Sequence, residues 1–379
     1  MMDFLRRLIK PKYDTLNLME IDAPKLLANF SLLKNIHPEA EIFPVLKSNA
    51  YGHGLKEVCQ ILNSSAALMV AVDSYPEAQV VYQYFHGRVL ILGEMPHRAY
   101  NYCDFNRTEF VVYNKETLHY LAKFGKKVKI HLFFNSGMNR EGIKNFSDFL
   151  TEEKKYLDQV EISGFCSHLA SAETDSALNK IQEDNFLEAL KNLQALGFSP
   201  RWIHLGNSAG IFTLRNRMLT AYRPGLSFYG YSPFFEDRED TKNLQPALQV
   251  FSRLISMQNI KKGESVSYNE SFRADKDTRI GIIPFGYFEG LNRRLSNQAK
   301  LLVINGQGGF LAQLAGKVCM NLSCLEIGEY KAKIGDNVLI ISNDKKAPNS
   351  LANLSRLADI LPYELLVELQ SSIRKEIKW

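Results

Sequence analysis

The sequence predicts an α/β fold: a (β/α)8 TIM-type barrel over residues 16–243, followed by a mostly β C-terminal domain over residues 244–379 on which residues 1–15 are expected to pack. Three observations carry that prediction. Eight short apolar or β-branched runs alternate with helix-like stretches up to about residue 231, and eight is the number a closed parallel barrel needs. Beyond about residue 245 the alternation gives way to strands separated by turn residues. The length of 379 residues also exceeds what one hydrophobic core usually organises.

The elements follow in chain order. Apolar spacing over 23–36 predicts a helix that opens the barrel, with Asp22 as its N-cap and Pro24 in its first turn. The eight strand-like runs are 41–47, 67–72, 88–93, 109–113, 128–135, 161–169, 202–207 and 221–230. Between the sixth and seventh, Leu, Ile and Phe recur every three or four residues from Leu178 until Gly197 ends the helix. In the second domain, Asn305 to Gly309 reads as a hairpin turn, because Asn and Gly tolerate positive φ.

Composition narrows the function. Hydrophobic residues at 45% and charged residues at 23% are globular averages. The net charge of +5 is scattered, without the basic stripe of a nucleic-acid groove, so no nucleic-acid partner is expected. Arg6, Arg7, Lys10 and Lys12 read as a solvated face. No run approaches the roughly 18 apolar residues of a membrane span, and the start lacks a signal peptide, which predicts a cytoplasmic protein without membrane contact. Cys59, Cys103, Cys166, Cys319 and Cys324 are an odd number without a CxxC pair, so reduced thiols and no metal site are expected.

In such a barrel reactive groups gather at the C-terminal strand ends. Lys47 ends the first run, Arg140 follows the fifth, His168 ends the sixth, Asn207 and Ser208 end the seventh, and Arg223 and Gly225 lie in the eighth. Singly, each has a bland reading: surface lysine, core histidine, helix cap, structural ion pair. Together they supply an amine able to form an imine, a small-residue cradle for an anion and a guanidinium for a cofactor ring.

The segment from Pro44 to Gly54, PVLKSNAYGHG, resembles the cofactor-lysine signature of alanine racemases. The likeness continues through SGMNREG (136–142), HLGNSAG (204–210), YRPGLSFYGYSP (222–233), GESVSYNESF (263–272), GKVCMN (316–321) and LPYELL (361–366). The resemblance implies pyridoxal 5'-phosphate carried on Lys47, its phosphate held by Tyr51, Ser208, Gly225, Leu226 and Tyr363, with Asn207 beside them. It also implies Arg223 facing the pyridine nitrogen, oriented by His168. Arg140 and Met320 would bind a small amino-acid substrate, and Tyr287 would line the entrance. Tyr268 would be the second base, reaching the site from the other subunit of a homodimer with composite sites. Racemisation needs a base on each face of the substrate carbon, hence Lys47 and Tyr268. The implied role is supply of D-alanine for peptidoglycan.

Five positions depart from the commonest family pattern. Phe133 stands where many members have a carbamylated lysine, Asn135, Asn321 and Glu289 where aspartate is usual, and Asn269 where glycine is. They imply either neutral variation or a changed substrate preference. Alternative expectations are a racemase of broader range, a related decarboxylase, or a catalytically weak cofactor-binding protein.

Overall fold

A computed structural model describes residues 14–235 and 238–379. It divides into two compact units, one formed by residues 22–247 and the other by residues up to 21 together with 248–378. The expected packing of residues 1–15 lies outside the described residues, apart from Asp14 and Thr15; Asp14 accepts from Arg253 at 2.7 Å. The division differs from one drawn at residues 16 and 244. Strand β1 (Leu18–Asp22) pairs antiparallel with Leu248–Arg253, so its backbone partners place it in the β unit.

The larger unit begins with helix α1 (Ala23–Ile36), capped as its sequence suggests: the Asp22 side chain accepts from Lys25 N at 3.0 Å, and a proline occupies the first turn. Eight parallel strands follow: β2 (Glu41–Ile42), β3 (Met69–Val72), β4 (Arg88–Ile91), β5 (Thr108–Val112), β6 (Lys129–Phe133), β7 (Glu161–Cys166), β8 (Trp202–His204) and β9 (Ala221–Tyr222). Six of them, β3 to β8, form one sheet in sequence order, and β2 pairs with β9. The ring closes through backbone bonds outside the ladders. Leu46 N donates to Ala71 O at 2.7 Å, and Thr220 N donates to Ile203 O at 2.9 Å.

Alternate residues of every barrel strand face the interior. Phe43 and Val45 just beyond β2, Met69 and Ala71, Leu90, Val111, Phe133, Cys166, Trp202 and Ala221 form one buried cluster. Outside the ring, the longest helix runs Ala177–Ala195 from a Ser176 cap and stops two residues before Gly197, whose φ of +86° ends it.

The smaller unit is built on a nine-stranded sheet. Lys300–Asn305 and Gly308–Leu314 form the predicted hairpin, closing at the Asn305–Gly308 pair. A second strand pair, Ser265–Val266 with Phe272–Arg273, carries the segment between them. Among the described residues, no helix is long and apolar enough to cross a membrane.

Two predictions test this architecture. Asp22→Ala removes the cap of α1 and is expected to cost about 1 kcal/mol in urea unfolding; an unchanged midpoint would show that the helix does not need it. His53 is fully buried against the Tyr229 ring, 4.3 Å between centroids, and burial pushes its imidazole down to about 4. The folded ring is therefore neutral where the unfolded ring, below pH 6.5, takes up a proton. Stability is lost as pH falls from 6.5 toward 4, and His53→Gln is expected to reduce the proton uptake on unfolding in that window by about one. An identical pH slope in the variant would contradict this.

Candidate active site

Lys47 stands where the backbone leaves the barrel in an unusual way. Ser48, Asn49, Ala50 and Tyr51 all have φ between +51° and +55°, a left-handed turn made without glycine. Left-handed geometry costs roughly 1–2 kcal/mol per L-residue, so a dense set of bonds must hold it. Ala50 N donates to Leu46 O, Gly52 N to Ser48 O and Gly54 N to Asn49 O, at 2.8, 3.2 and 3.0 Å. The Asn49 side chain accepts from Leu55 N at 2.9 Å. The Glu77 carboxylate adds a clamp: one oxygen accepts from Ser48 N at 2.6 Å, the other from Asp73 N at 2.8 Å. Asp73 in turn lies 3.4 Å from Lys47 Nζ. Glu77 and Asp73 escaped sequence reading because neither lies in a motif; the signal was only their position just after the second barrel strand.

Across the ring closure sits a cradle. Ser208 Oγ accepts from Gly225 N at 2.9 Å and from Ser227 N at 3.3 Å, and Leu226 is buried between them. A Cβ added to Gly225 would lie 2.5 Å from the Tyr51 hydroxyl, so only glycine lets this hydroxyl approach the backbone at 225 so closely. Asn207 acts locally. Its side chain accepts from Ala209 N and Gly210 N at 3.0 and 2.9 Å, shaping the turn that presents Ser208.

Arg223 is buried beside this cradle. Its Nη1 donates to His204 O at 2.9 Å and to His204 Nδ1, and its Nη2 donates to Ser167 O at 2.6 Å and approaches His168 Nδ1 at 3.5 Å. These contacts use the four terminal N–H groups. The Nε–H has no partner among the described residues and remains available to a ligand. Burial, Arg223, Arg140 and Lys47 together push His168 down to about 3, which keeps its ring neutral and places these groups in one electrostatic neighbourhood.

Arg140 follows β6 in a loop shaped by Asn135, whose side chain accepts from Gly137 N and Asn139 N, both at 3.1 Å. Its Nη2 donates to Glu141 at 2.6 Å, a partner the motif reading passed over. Phe133 lies in the barrel core with its ring 4.9 Å from that of Tyr113, so this position can carry no carbamate.

The remaining candidates belong to the β unit. Tyr268 is exposed on a strained turn, with Ser267, Asn269 and Glu270 at φ of +66°, +61° and +48°. Ser267 Oγ donates to Lys317 O at 2.7 Å, and Tyr287 N and Phe288 N donate to Cys319 O and Met320 O at 3.0 and 2.9 Å. Tyr268, Tyr287 and Met320 are thus presented from interlocked loops. Asn321 donates to Glu289 at 2.8 Å, so two of the unusual residues pair with each other. Tyr363 lies on the short helix Pro362–Glu368.

Residues 21–233 match the family model for the alanine racemase N-terminal domain, and residues 247–377 match that for the C-terminal domain. Alanine racemase of Borreliella burgdorferi (strain ZS7) is 33% identical over 363 residues, covering 92% of this chain and 94% of that protein. Alanine racemase of Helicobacter pylori (strain J99) is 31% identical over 374 residues, covering 94% and 97%. Among solved structures, alanine racemase of Bacillus anthracis with bound L-Ala-P superposes with a TM-score of 0.88 at 26% identity, covering 97% of this chain and 96% of that one. With both domain models matched in order and relatives aligned end to end, the chain belongs to the alanine racemase family.

Proposed function

We propose that this protein is a pyridoxal-phosphate-dependent alanine racemase that interconverts L- and D-alanine with Lys47 and Tyr268 as its two bases. The observation that supports it most is the rim shared by the Lys47 amine, the Tyr51–Ser208–Gly225 cradle and the Arg223 Nε–H. These groups fit the cofactor: an amine for its aldehyde, hydroxyl and amide donors for its phosphate, and a fixed guanidinium for its ring nitrogen. Bound there, the cofactor would withdraw electrons from the substrate α-carbon and acidify its proton.

The protein's own groups do the rest. Lys47 would take or return the α-proton on one face, and Tyr268 on the other. Ser208, Gly225, Leu226, Tyr51 and Tyr363 would hold the phosphate, with Asn207 shaping the turn. Arg223, because guanidinium does not give up its proton, would leave the ring nitrogen unprotonated and moderate its electron withdrawal, which favours prompt return of a proton over side reactions. Arg140 and the Met320 backbone would receive the substrate carboxylate, and Tyr287 would border the entrance. With Tyr268 supplied by the second copy, the active form is a homodimer with composite sites. The product would serve bacterial peptidoglycan from the cytoplasm.

A broader substrate range is a second reading, favoured by the Arg140–Glu141 pair and by Phe133 in place of a carbamate. A racemisation panel of small and basic amino acids separates the two: alanine strongly preferred supports the first, comparable rates for larger substrates the second. Lys47→Ala is expected to abolish racemisation and the borohydride-sensitive visible band. Tyr268→Phe is expected to lower turnover by about 100-fold or more with the band intact; near-normal turnover in either variant removes the two-base assignment.

The Glu77 clamp gives a further test. Glu77→Gln replaces one accepting oxygen by an NH2 group that faces a backbone N–H, a loss of about 1–3 kcal/mol at the turn. Cofactor affinity, read by titrating the apoprotein, is expected to weaken roughly ten-fold. Unchanged affinity would show that the turn holds without the clamp.

A further inference from the structure

A line of polar side chains crosses the otherwise apolar barrel interior. Strand alternation puts Arg88, Glu109, His131 and His204 on the same face as Leu90, Val111, Phe133 and Trp202 of the interior cluster. Glu109, His131 and His204 are all 0% exposed. Glu109 Oε2 lies 2.7 Å from His131 Nε2, His131 Nδ1 lies 2.6 Å from His204 Nε2, and His204 Nδ1 bonds Arg223 Nη1. Ser163 Oγ donates to the same carboxylate oxygen at 2.5 Å, and the Arg88 guanidinium pairs with the other. Room for this line is built in: a Cβ on Gly164 would lie 2.2 Å from His131 Nδ1.

The bonds have one direction. Arg223 can only donate, so His204 Nδ1 accepts; a neutral His204 then carries its proton on Nε2 and donates to His131 Nδ1. His131 accordingly carries its proton on Nε2 and donates to Glu109. Burial pushes the Glu109 carboxyl up, but His131, Ser163 and Arg88 outweigh it and hold it down to about 2, so this end is a carboxylate. A barrel interior is ordinarily filled by branched apolar side chains, and an ionised group there is costly unless its partners compensate. Arg223, His204 and His131 donate in turn from the buried cation at the C-terminal rim toward the buried anion near the N-terminal end of β5.

We propose that Glu109 and His131 are positioning residues for the cofactor site, acting through His204 as a counter-charge relay that fixes the Arg223 guanidinium and sets its donor strength toward the ring nitrogen. The proposal rests on the reading of Arg223 as the group that faces that nitrogen. Removal of the charge at 109 leaves the four terminal N–H contacts of Arg223 in place but takes away the polarisation that aligns them.

The test uses the holoenzyme with 15N-labelled histidine. Both rings are expected as the Nε2–H tautomer. Glu109→Gln is expected to move the nitrogen shifts of His204, which residue 109 does not touch, to displace the visible band of the bound cofactor, and to lower kcat about ten-fold with KM unchanged. Ser163→Ala, a smaller change at the same carboxylate, is expected to move the His131 and His204 signals in the same direction by less, and serves if Glu109→Gln fails to fold. An Nδ1–H ring at either histidine, or His204 signals and a cofactor band unmoved by these variants, overturns the relay. Arg223→Lys distinguishes the two failures. If it displaces the band while Glu109→Gln does not, the relay alone is wrong; if it too leaves the band unmoved, the assignment of Arg223 to the ring nitrogen is wrong.

Discussion

The closure of the barrel between its first and last strands is the constraint from which the site follows. Ile42 pairs with Tyr222, and Val45 N donates to Pro224 O at 2.9 Å. Tyr229 bonds across the same seam, its hydroxyl donating to Val45 O at 2.9 Å. Through this seam Lys47, near the start of the chain, comes to lie beside Arg223 and Gly225, which are remote in sequence. A slip of one residue would turn every side chain of β2 to the other face and separate the amine from the cradle. The short two-residue ladder is reinforced by the bonds beyond it, so register is fixed where strand length alone would leave it weak.

Strain and buried charge are concentrated around that seam and balanced locally. The left-handed turn after Lys47 is unfavourable by itself, yet Ser48, Asn49 and Ala50 are engaged through their backbone by Glu77, Gly52, Gly54 and Leu46, and Tyr51 O accepts from His53 Nδ1 at 3.0 Å. Arg223 is equally unfavourable as an isolated buried cation, and its terminal N–H groups end on two carbonyls and two histidine nitrogens. Both features lie at groups of the proposed site, the Lys47 amine and the Arg223 Nε–H, where local strain and buried charge are consistent with a functional demand.

The parts legible in the sequence were those that follow from period and chain order. Eight apolar runs became eight strands, Asp22 and Gly197 bounded their helices, and Lys47, His168, Ser208 and Arg223 lie in the segments that follow the C-terminal ends of their strands. The left-handed turn was not legible, because no glycine marks residues 48–51 and the conformation is imposed by distant partners such as Glu77. The unit boundary at residues 21 and 22 was hidden for a similar reason: residues 16–21 go with the barrel by chain order until the pairing of β1 with Leu248–Arg253 is known. The interior line was half legible. Glu109 shares parity with Val111 and His131 with Phe133, which marks a charged and a polar residue on the barrel's inner face, but the choice of partners depends on register that no single sequence supplies.

Arg140 shows how a departure from the family pattern can be read physically. Its link to Glu141 is only 2.6 Å long, but both side chains reach solvent, and exposed pairs of this kind are worth roughly 0–1 kcal/mol. An incoming carboxylate, as the proposed function requires, would therefore displace Glu141 at little cost. What Phe133 removes is a second anchor: it packs on Tyr113 and gives the guanidinium nothing to hydrogen-bond. An arginine tied on one side only can swing to meet carboxylates in more than one position. The residue that completes the apolar packing of the barrel interior thus leaves the arginine at its rim without that anchor, and this favours the second reading, a wider substrate range.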